Sequence, residues 1–573
     1  MSRGTIGGTL VAMLKRGETY EEVCAALKWE IPRTYNMAFD VCDRHAAEPG
    51  RTALIYFDER GGEHRYAFNE IRDIANKLAN ALTALGIRKG DRVAILLPQS
   101  PETAITHVAL YKMGAVALPL FTLFGEDALE YRLSNSGACA VVTNTENLPK
   151  IAAIRPRLEA LRHVIVVEDD TSHSRPGGKR IPDGADHAYW SVVARGQSQF
   201  RNAATSADDP AFLIYTSGTT GQPKGALHAH RTMLAHMPSM EFYHQFFPEP
   251  GDLFWSPADW AWIGGLMDNL MPAWFHGVPV LAWRARRFDP EEAFAMIAQH
   301  RVRNCFFPPT ALKMMRQVPN PQLKYDLRLR SMFSGGESMG EELLHWGYET
   351  FGLVIAEGYG QTECNLMVGN CPAIMDVIPG SMGRACPGHT VDIVDEDGKV
   401  VPPGTQGQIA FKMPDPIAML GYWNNPEATK AKHKGEWMLS GDMGVKDEKG
   451  YLWFKGRADD VITSAGYRIG PGEIEECLAK HPAVGLAAVI GVPDPVRTEA
   501  VKAFIVPATG HEPGDRLAAE IQAFVRTRLS AHEYPRHIEF VTELPLTATG
   551  KIRRLELREQ ERKKAAEAAA ARE

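Results

Sequence analysis

The sequence predicts an α/β protein with a large N-terminal body and a small α+β domain at its C-terminal end. Three observations carry this. From Asp91 an apolar run, DRVAILLP, is followed by the helix-period segment QSPETAITHVALYKMG and a second apolar run, AVALPL. The same order returns from Ala138 as ACAVVTN, ENLPKIAAIRPRLEALR and HVIVVED, and two such units imply α/β layers around a parallel sheet. Farther on, VDIVDEDGKVV and GVKDEKGYLWFKG each set an acidic, glycine-ended turn between strand-like runs, so the large body should end in antiparallel hairpins.

After Arg457 the character changes a third time. LAAVIGV, VKAFIVP and HIEFV read as strands, and PGEIEECLAK and DRLAAEIQAFVRTRL as helices. The final stretch of about 115 residues is long enough for an independent domain. The expected boundary therefore falls between residues 456 and 457, giving domains 1–456 and 457–573. The tail EQERKKAAEAAAARE reads as a frayed helix or disorder without a function.

Composition narrows the function. A net charge of −7 over 573 residues lacks the clustered positive charge that nucleic-acid binding needs. Eight scattered cysteines without a Cys-x-x-Cys pair fit reduced thiols rather than a disulfide scaffold or zinc site. The start, MSRGTIGGTLVAML, lacks a convincing signal-peptide core, and no apolar run is long enough to span a bilayer. A cytoplasmic location is expected.

The segment YTSGTTGQPKG, Tyr215 to Gly225, can bury almost nothing. It could be a surface turn, a phosphate cradle or a linker. Gly218, Gly221 and Gly225 permit close approach of the backbone to a ligand, and successive N–H groups in such a loop form an anion-binding concavity. Thr216, Ser217, Thr219 and Thr220 add hydroxyl donors, and Lys224 adds charge. The spacing is not that of a Walker A loop.

This segment resembles the signature loop of the adenylate-forming superfamily. Six further motifs follow in the superfamily's order: ADWAW from Ala258, SGGES from Ser334, EGYGQTE from Glu357 to Glu363, LSGDMG from Leu439 to Gly444, GRADDVITSAGYRIGPGEIE from Gly456 to Glu475, and LTATGKIRR from Leu546 to Arg554. WEIPRTYN, from Trp29, is similar to the short- and medium-chain acyl-CoA synthetase branch. The resemblance implies that the large domain contains a distorted antiparallel β-barrel and that the small domain is mobile. It implies ATP, Mg²⁺ and coenzyme A as reactants and cofactors, and a two-step reaction. A carboxylate attacks the α-phosphorus of ATP, and the thiol of coenzyme A then displaces AMP from the acyl-adenylate.

The resemblance also assigns residues. Thr216, Ser217, Gly218, Thr219, Thr220 and Lys224 hold the β- and γ-phosphates, Thr362 bonds the α-phosphate, and Glu363 binds Mg²⁺. Gly335, Gly336, Glu337, Glu357, Gly358, Tyr359 and Gln361 surround the adenine side, and Asp442 and Arg457 face the ribose. Lys551 bridges the substrate carboxylate and the α-phosphate in adenylation. Asp459 is the hinge; Gly466, Tyr467, Arg468 and Arg526 meet coenzyme A. Arg553 and Arg554 are expected to be surface charges.

Trp262, Gly265 and Gly360 should shape the acyl pocket, the last by leaving volume where acetate-specific relatives carry tryptophan. That implies short- to medium-chain, branched or aromatic acids, with acetate a poor substrate. The context PLTATGK further implies a lysine acetyltransferase acting on Lys551. The alternative activity is acyl loading onto a carrier protein.

Overall fold

The computed structural model describes residues 12–58, 61–168, 181–216, 222–283, 288–336, 339–458, 460, 462–464, 467–494, 498–529, 534–547 and 551–570. Contacts divide the chain into two units. One is built from residues up to Thr216, Lys224–Thr390 and Met413–Ala431; the other from Val391–Lys412 and Lys432 onward.

The first unit has an eight-stranded and a nine-stranded sheet. The repeated apolar runs form the parallel heart of the eight-stranded sheet: Arg92–Leu96 pairs in parallel with Val116–Pro119 and with Ala140–Asn144, which pairs with His163–Val167. The intervening helix Pro101–Met113 starts where the Ser100 side chain accepts the Thr103 N–H and stops at Gly114, whose φ of 65° few other residues adopt. Every residue of that helix is buried, as is every residue of Thr232–Tyr243. Such all-round burial marks helices lying inside a core rather than on its surface. Both belong to one apolar cluster that also contains Leu54 and Val280 from the nine-stranded sheet and Val93 and Ile95 from the eight-stranded one.

The second unit contains two five-stranded sheets. The first is antiparallel and curls into a half barrel, with register shifts between Gln408 and Ala410 and between Met443 and Gly444. Both acidic turns seen in the sequence form its hairpins by one mechanism. The Asp395 carboxylate accepts the N–H groups of Asp397 and Lys399 beside Gly398, at φ 78°. The Asp447 carboxylate accepts those of Lys449 and Tyr451 beside Gly450, at φ 85°.

The second sheet, with strands such as Val484–Asp494 and Thr498–Pro507, is covered on both faces. Alternate residues divide accordingly. Val489, Ala503 and Ile505 pack with helices Pro471–Ala479 and Asp515–Arg528, while Ala488, Ile490 and Phe504 pack with Leu557 of helix Arg554–Ala570. The tail is therefore helical to Ala570 rather than frayed. Leu557 anchors it, and Lys502 bridges Glu539 and Glu561 at 2.7 Å each. The boundary expected between residues 456 and 457 falls inside this second unit, within Leu452–Arg457, the last strand of one sheet; the other begins with Ile462–Ser464.

Candidate active site

Lys224 stands where the glycine-rich segment re-enters the eight-stranded sheet. Strands Pro210–Thr216 and Lys224–Ala229 form an antiparallel pair with Thr216 opposite Lys224. Ser217, Gly218, Thr219 and Thr220 lie outside the described residues. Gly225 is glycine for a packing reason: a Cβ there would lie 2.9 Å from Leu213 Cδ1 and 3.2 Å from the Tyr215 ring.

Thr362 and Glu363 form the two-residue turn of a hairpin, between Ala356–Gln361 and Cys364–Gly369, with Gln361 opposite Cys364. Thr362 is half-buried and Glu363 buried. Two further hydrogen bonds hold this turn. The Met419 N–H donates to the Glu363 carbonyl at 2.9 Å, and the Tyr422 hydroxyl donates to the Glu363 carboxylate. His228, on the Lys224 strand, lies beside the Thr362 backbone and stacks on Phe212 at 4.7 Å. Burial pushes the His228 imidazole down to about 3, so it is neutral at physiological pH.

Tyr422 ties the two strand pairs together. Gly421–Tyr422 pairs with the Lys224 strand, Tyr422 opposite Ala226, and the Lys224 ammonium sits 5.5 Å from the Tyr422 ring centroid. Lys224 and Glu363 are thus brought to the same aromatic side chain from positions 139 residues apart (363 − 224). Tyr422 and His228 were not legible as site residues; the only sequence signal is GYW, an aromatic pair after glycine.

Most residues that the resemblance assigns to the adenine side lie along two neighbouring strand ends. Ser331–Gly335 runs parallel to Ala356–Gln361, pairing Ser334 with Glu357 and Gly335 with Gly358. A Cβ on Gly335 would come within 2.7 Å of the Gly358 carbonyl oxygen, and Gly336 has φ 97°. Glu357 is buried, Tyr359 and Gln361 are half-buried, and Glu337 lies outside the described residues.

The volume argument for Gly360 does not hold on this backbone. A Cβ there would lie 2.3 Å from the Leu366 backbone nitrogen, and one on Gly265 would lie 2.0 Å from the Asp259 carbonyl oxygen. Both glycines permit close backbone approach and open no space along their Cβ directions. What the segment meets is an aromatic row that is buried apart from the half-buried Trp262. Trp262 meets Phe306 at 5.6 Å, Phe306 stacks on Phe333 at 5.0 Å, and Phe333 stacks on Tyr243 at 4.4 Å.

In the second unit Asp442 faces Arg457 across strands Trp437–Lys446 and Leu452–Arg457, with the guanidinium 3.0 Å from one carboxylate oxygen. Asp442 is buried and Arg457 half-buried. Lys551 is exposed. Its segment is held by a bridge between Leu546 and Ile552, by the Thr547 N–H donating to the Lys551 carbonyl at 2.7 Å, and by the Lys551 N–H donating to the Thr547 hydroxyl at 3.0 Å.

Asp459 and Gly466 lie outside the described residues; Tyr467 and Arg468 belong to strand Tyr467–Ile469, paired with Ile462–Ser464. Arg526 is an exposed helix residue with its guanidinium 5.5 Å from the Tyr534 ring. Arg554 corrects the expectation of a surface charge. Its guanidinium forks onto both Glu475 oxygens, at 3.1 and 2.5 Å, and reaches Asp460 at 3.4 Å. Burial alone would lower the Arg554 guanidinium, but the two carboxylates outweigh it and hold it above its ordinary value.

Residues 42–423 match the model of the AMP-binding enzymes, and residues 473–551 match that of the AMP-binding enzyme C-terminal domain. The chain belongs to the AMP-binding enzyme family. The first match carries Lys224, Thr362, Glu363 and Tyr422, and the second ends at Lys551. Among curated relatives of this AMP-binding enzyme, the acetyl-coenzyme A synthetase of Bacillus subtilis (strain 168) is 38% identical over 91% of this chain and 89% of its own length. The mitochondrial acyl-coenzyme A synthetase ACSM3 of Pongo abelii is 34% identical, covering 95% of this chain and 92% of its own. Among solved structures, the anthranilate CoA ligase AuaEII in complex with anthranoyl-AMP aligns at a TM-score of 0.84 with 30% identity, covering 94% of this chain and 99% of that one.

The donor set also suits a magnesium ion. Among the described residues there is no group of three or more His, Cys, Asp or Glu side chains able to cage a metal, and Glu363 offers one hard carboxylate. Mg²⁺ binds in this manner, through one or two carboxylates, water and substrate phosphates. No helix among the described residues is long and apolar enough to cross a membrane.

Proposed function

We propose that this enzyme converts a short- to medium-chain, branched or aromatic carboxylic acid to its coenzyme A thioester, in the cytoplasm, through an acyl-adenylate. The reaction is that of an AMP-forming acyl-CoA synthetase, an acid–thiol ligase using ATP, Mg²⁺ and coenzyme A. A carboxylate oxygen attacks the α-phosphorus of ATP and pyrophosphate leaves. The coenzyme A sulfur then attacks the acyl carbon, giving up its proton, and AMP leaves.

The observation that carries this reading is the convergence of Lys224 and the Thr362–Glu363 turn on Tyr422. The first step brings an anion to a polyanion, so positive charge and positioning supply most of the catalysis. Lys224 supplies charge beside the phosphates. Thr362, fixed at a hairpin tip, donates its hydroxyl to the α-phosphate. Glu363, oriented by the Tyr422 hydroxyl, would hold Mg²⁺, which offsets phosphate charge when bound. Asp442, with one oxygen taken by Arg457, accepts from the ribose. Lys551 neutralises charge developing between the carboxylate and the α-phosphorus.

Rotation about Asp459 brings Lys551 in for adenylation and takes it away for thioester formation, when Gly466, Tyr467, Arg468 and Arg526 meet coenzyme A. The exposed Lys551 is also open to an acetyltransferase, and acetylation would remove the charge that adenylation needs.

The half-buried Trp262 supports a flat or branched acyl group, as does the likeness to an anthranilate CoA ligase. Apolar pockets separate neighbouring homologues by only about 1–3 kcal/mol per methylene, so several acids should react. A panel of acetate, butyrate, isobutyrate, hexanoate and benzoate, assayed for AMP release with free coenzyme A, tests this. Turnover of acetate far above the others would refute the acyl assignment.

A further inference from the structure

The segment that carries Lys551 leads directly into an ionic cluster of buried Asp460 and half-buried Glu475, Arg554 and Arg558. Three residues on, Arg554 forks onto Glu475 and reaches Asp460; one helical turn later, Arg558 also pairs with Asp460. Both acidic residues are tied to the surrounding backbone. Glu475 accepts the Val489 N–H at 2.7 Å, which ties it to the edge strand Val484–Asp494. Asp460 donates its own N–H to the Arg457 carbonyl at 3.0 Å, and Arg457 in turn pairs with Asp442. A connected set of polar contacts thus runs from the Lys551 segment to the pair assigned to the ribose, through the residue beside the hinge position.

We propose that Arg554 is a positioning residue, and that its clamp on Glu475 and Asp460 sets where the Lys551 backbone stands relative to the hinge. This rests on the adenylation role given to Lys551 above. Three residues of extended chain span at most about 11 Å, so fixing Arg554 confines Lys551. On the other side, Ile552 packs in the apolar cluster of Leu544 and Leu557, and Thr547 holds the Lys551 backbone. A role in stability alone is a weak account of such a cluster, because well-packed apolar side chains of similar volume often do as well or better. A planar fork aimed at two carboxylates contributes direction, which a single cation lacks.

The test compares the two half-reactions in Arg554→Gln and Arg554→Lys, with thermal melts of each. Adenylation is read by ATP–pyrophosphate exchange, and thioester formation by supplying the acyl-adenylate and free coenzyme A. A misplacement of about 1 Å can cost on the order of a hundredfold in rate. Arg554→Gln should therefore lower the adenylation kcat by about tenfold to a hundredfold, with KM for ATP and acid changed far less and the thioester step nearly unchanged. Arg554→Lys keeps a cation at the site and so the fold; it should still lose several-fold in adenylation, because the fork is gone. Equal losses in both half-reactions, or full adenylation in the folded lysine variant, would overturn the proposal. Lys551→Ala serves as control. If it adenylates normally, the reading of Lys551 is wrong; if it does not while both Arg554 variants do, only the clamp is wrong.

Discussion

The Thr362–Glu363 turn and the Lys551 segment are assigned to the same reacting phosphate, yet they are held in opposite ways. The turn caps a hairpin whose second strand is buried throughout and whose first is half-buried only at its last three residues, with glycines at 358 and 360 pressed against Phe333 and the Leu366 backbone. Lys551 is exposed, on a segment held by an isolated bridge, two bonds to Thr547, one apolar neighbour and the charges of Arg554. Close packing suits a group that must stand still under ATP. A few polar ties suit one that must arrive as a unit and leave again. Small and polar residues therefore mean different things in the two regions: in the hairpin they allow contact, and near Lys551 they direct it.

The largest effect should come from the Lys551 side. Lys551→Ala should lower overall turnover by about 10²–10³ or more, as loss of a preorganised donor does, without a change in melting temperature. If the variant melts early, the segment is structural and the contrast fails.

The packed side should respond through stability. Gly360→Ala places a Cβ 2.3 Å from the Leu366 nitrogen, and overpacking of this kind typically costs about 1–3 kcal/mol. Chemical denaturation would read it. A Gly360→Trp variant should lose the fold of the hairpin rather than gain acetate specificity; a well-folded, acetate-selective protein would restore the volume argument.

Tyr422→Phe is a finer probe. It removes the hydroxyl that orients Glu363, a hydrogen bond to a charged group worth about 1.5–3 kcal/mol. The Mg²⁺ concentration for half-maximal activity should rise several-fold, while KM for the acid stays put. An unchanged Mg²⁺ requirement would separate Glu363 from the metal.

The smallest effect is a pH slope in the packed unit. Burial pushes His228 to about 3 and His236 to about 4, while the unfolded chain titrates near its ordinary value. Both folded values are depressed, so below about pH 6.5 the unfolded chain takes up protons that the folded chain refuses. Stability present at neutral pH should decline by about 1 kcal/mol per histidine toward pH 5.5. The slope should be shallower in His236→Gln, as thermal melts across this range would reveal.

Much of the fold was legible because its signals are local. The run–helix–run repeats from Asp91 and Ala138 became parallel strands, and the two acidic turns became hairpins, because each needs only neighbouring residues. The site was legible where a motif is contiguous, as in Thr362–Glu363. Tyr422 and His228 were not, because their roles arise from strand pairing across long sequence separations. Arg554 was misread for the same reason: its partners, Glu475 and Asp460, lie 79 and 94 residues away (554 − 475 and 554 − 460). Gly360 was misread because a missing side chain suggests room, and only coordinates reveal that a neighbouring backbone has taken it.

One measurement bears most directly on the idea that a lysine visits a fixed nucleotide site for a single step. Lys551→Ala protein is given purified acyl-adenylate and coenzyme A, and thioester formation is followed beside ATP–pyrophosphate exchange on the same preparation. The account predicts that exchange vanishes while thioester forms at nearly the unmodified rate. Parallel loss of both would contradict it.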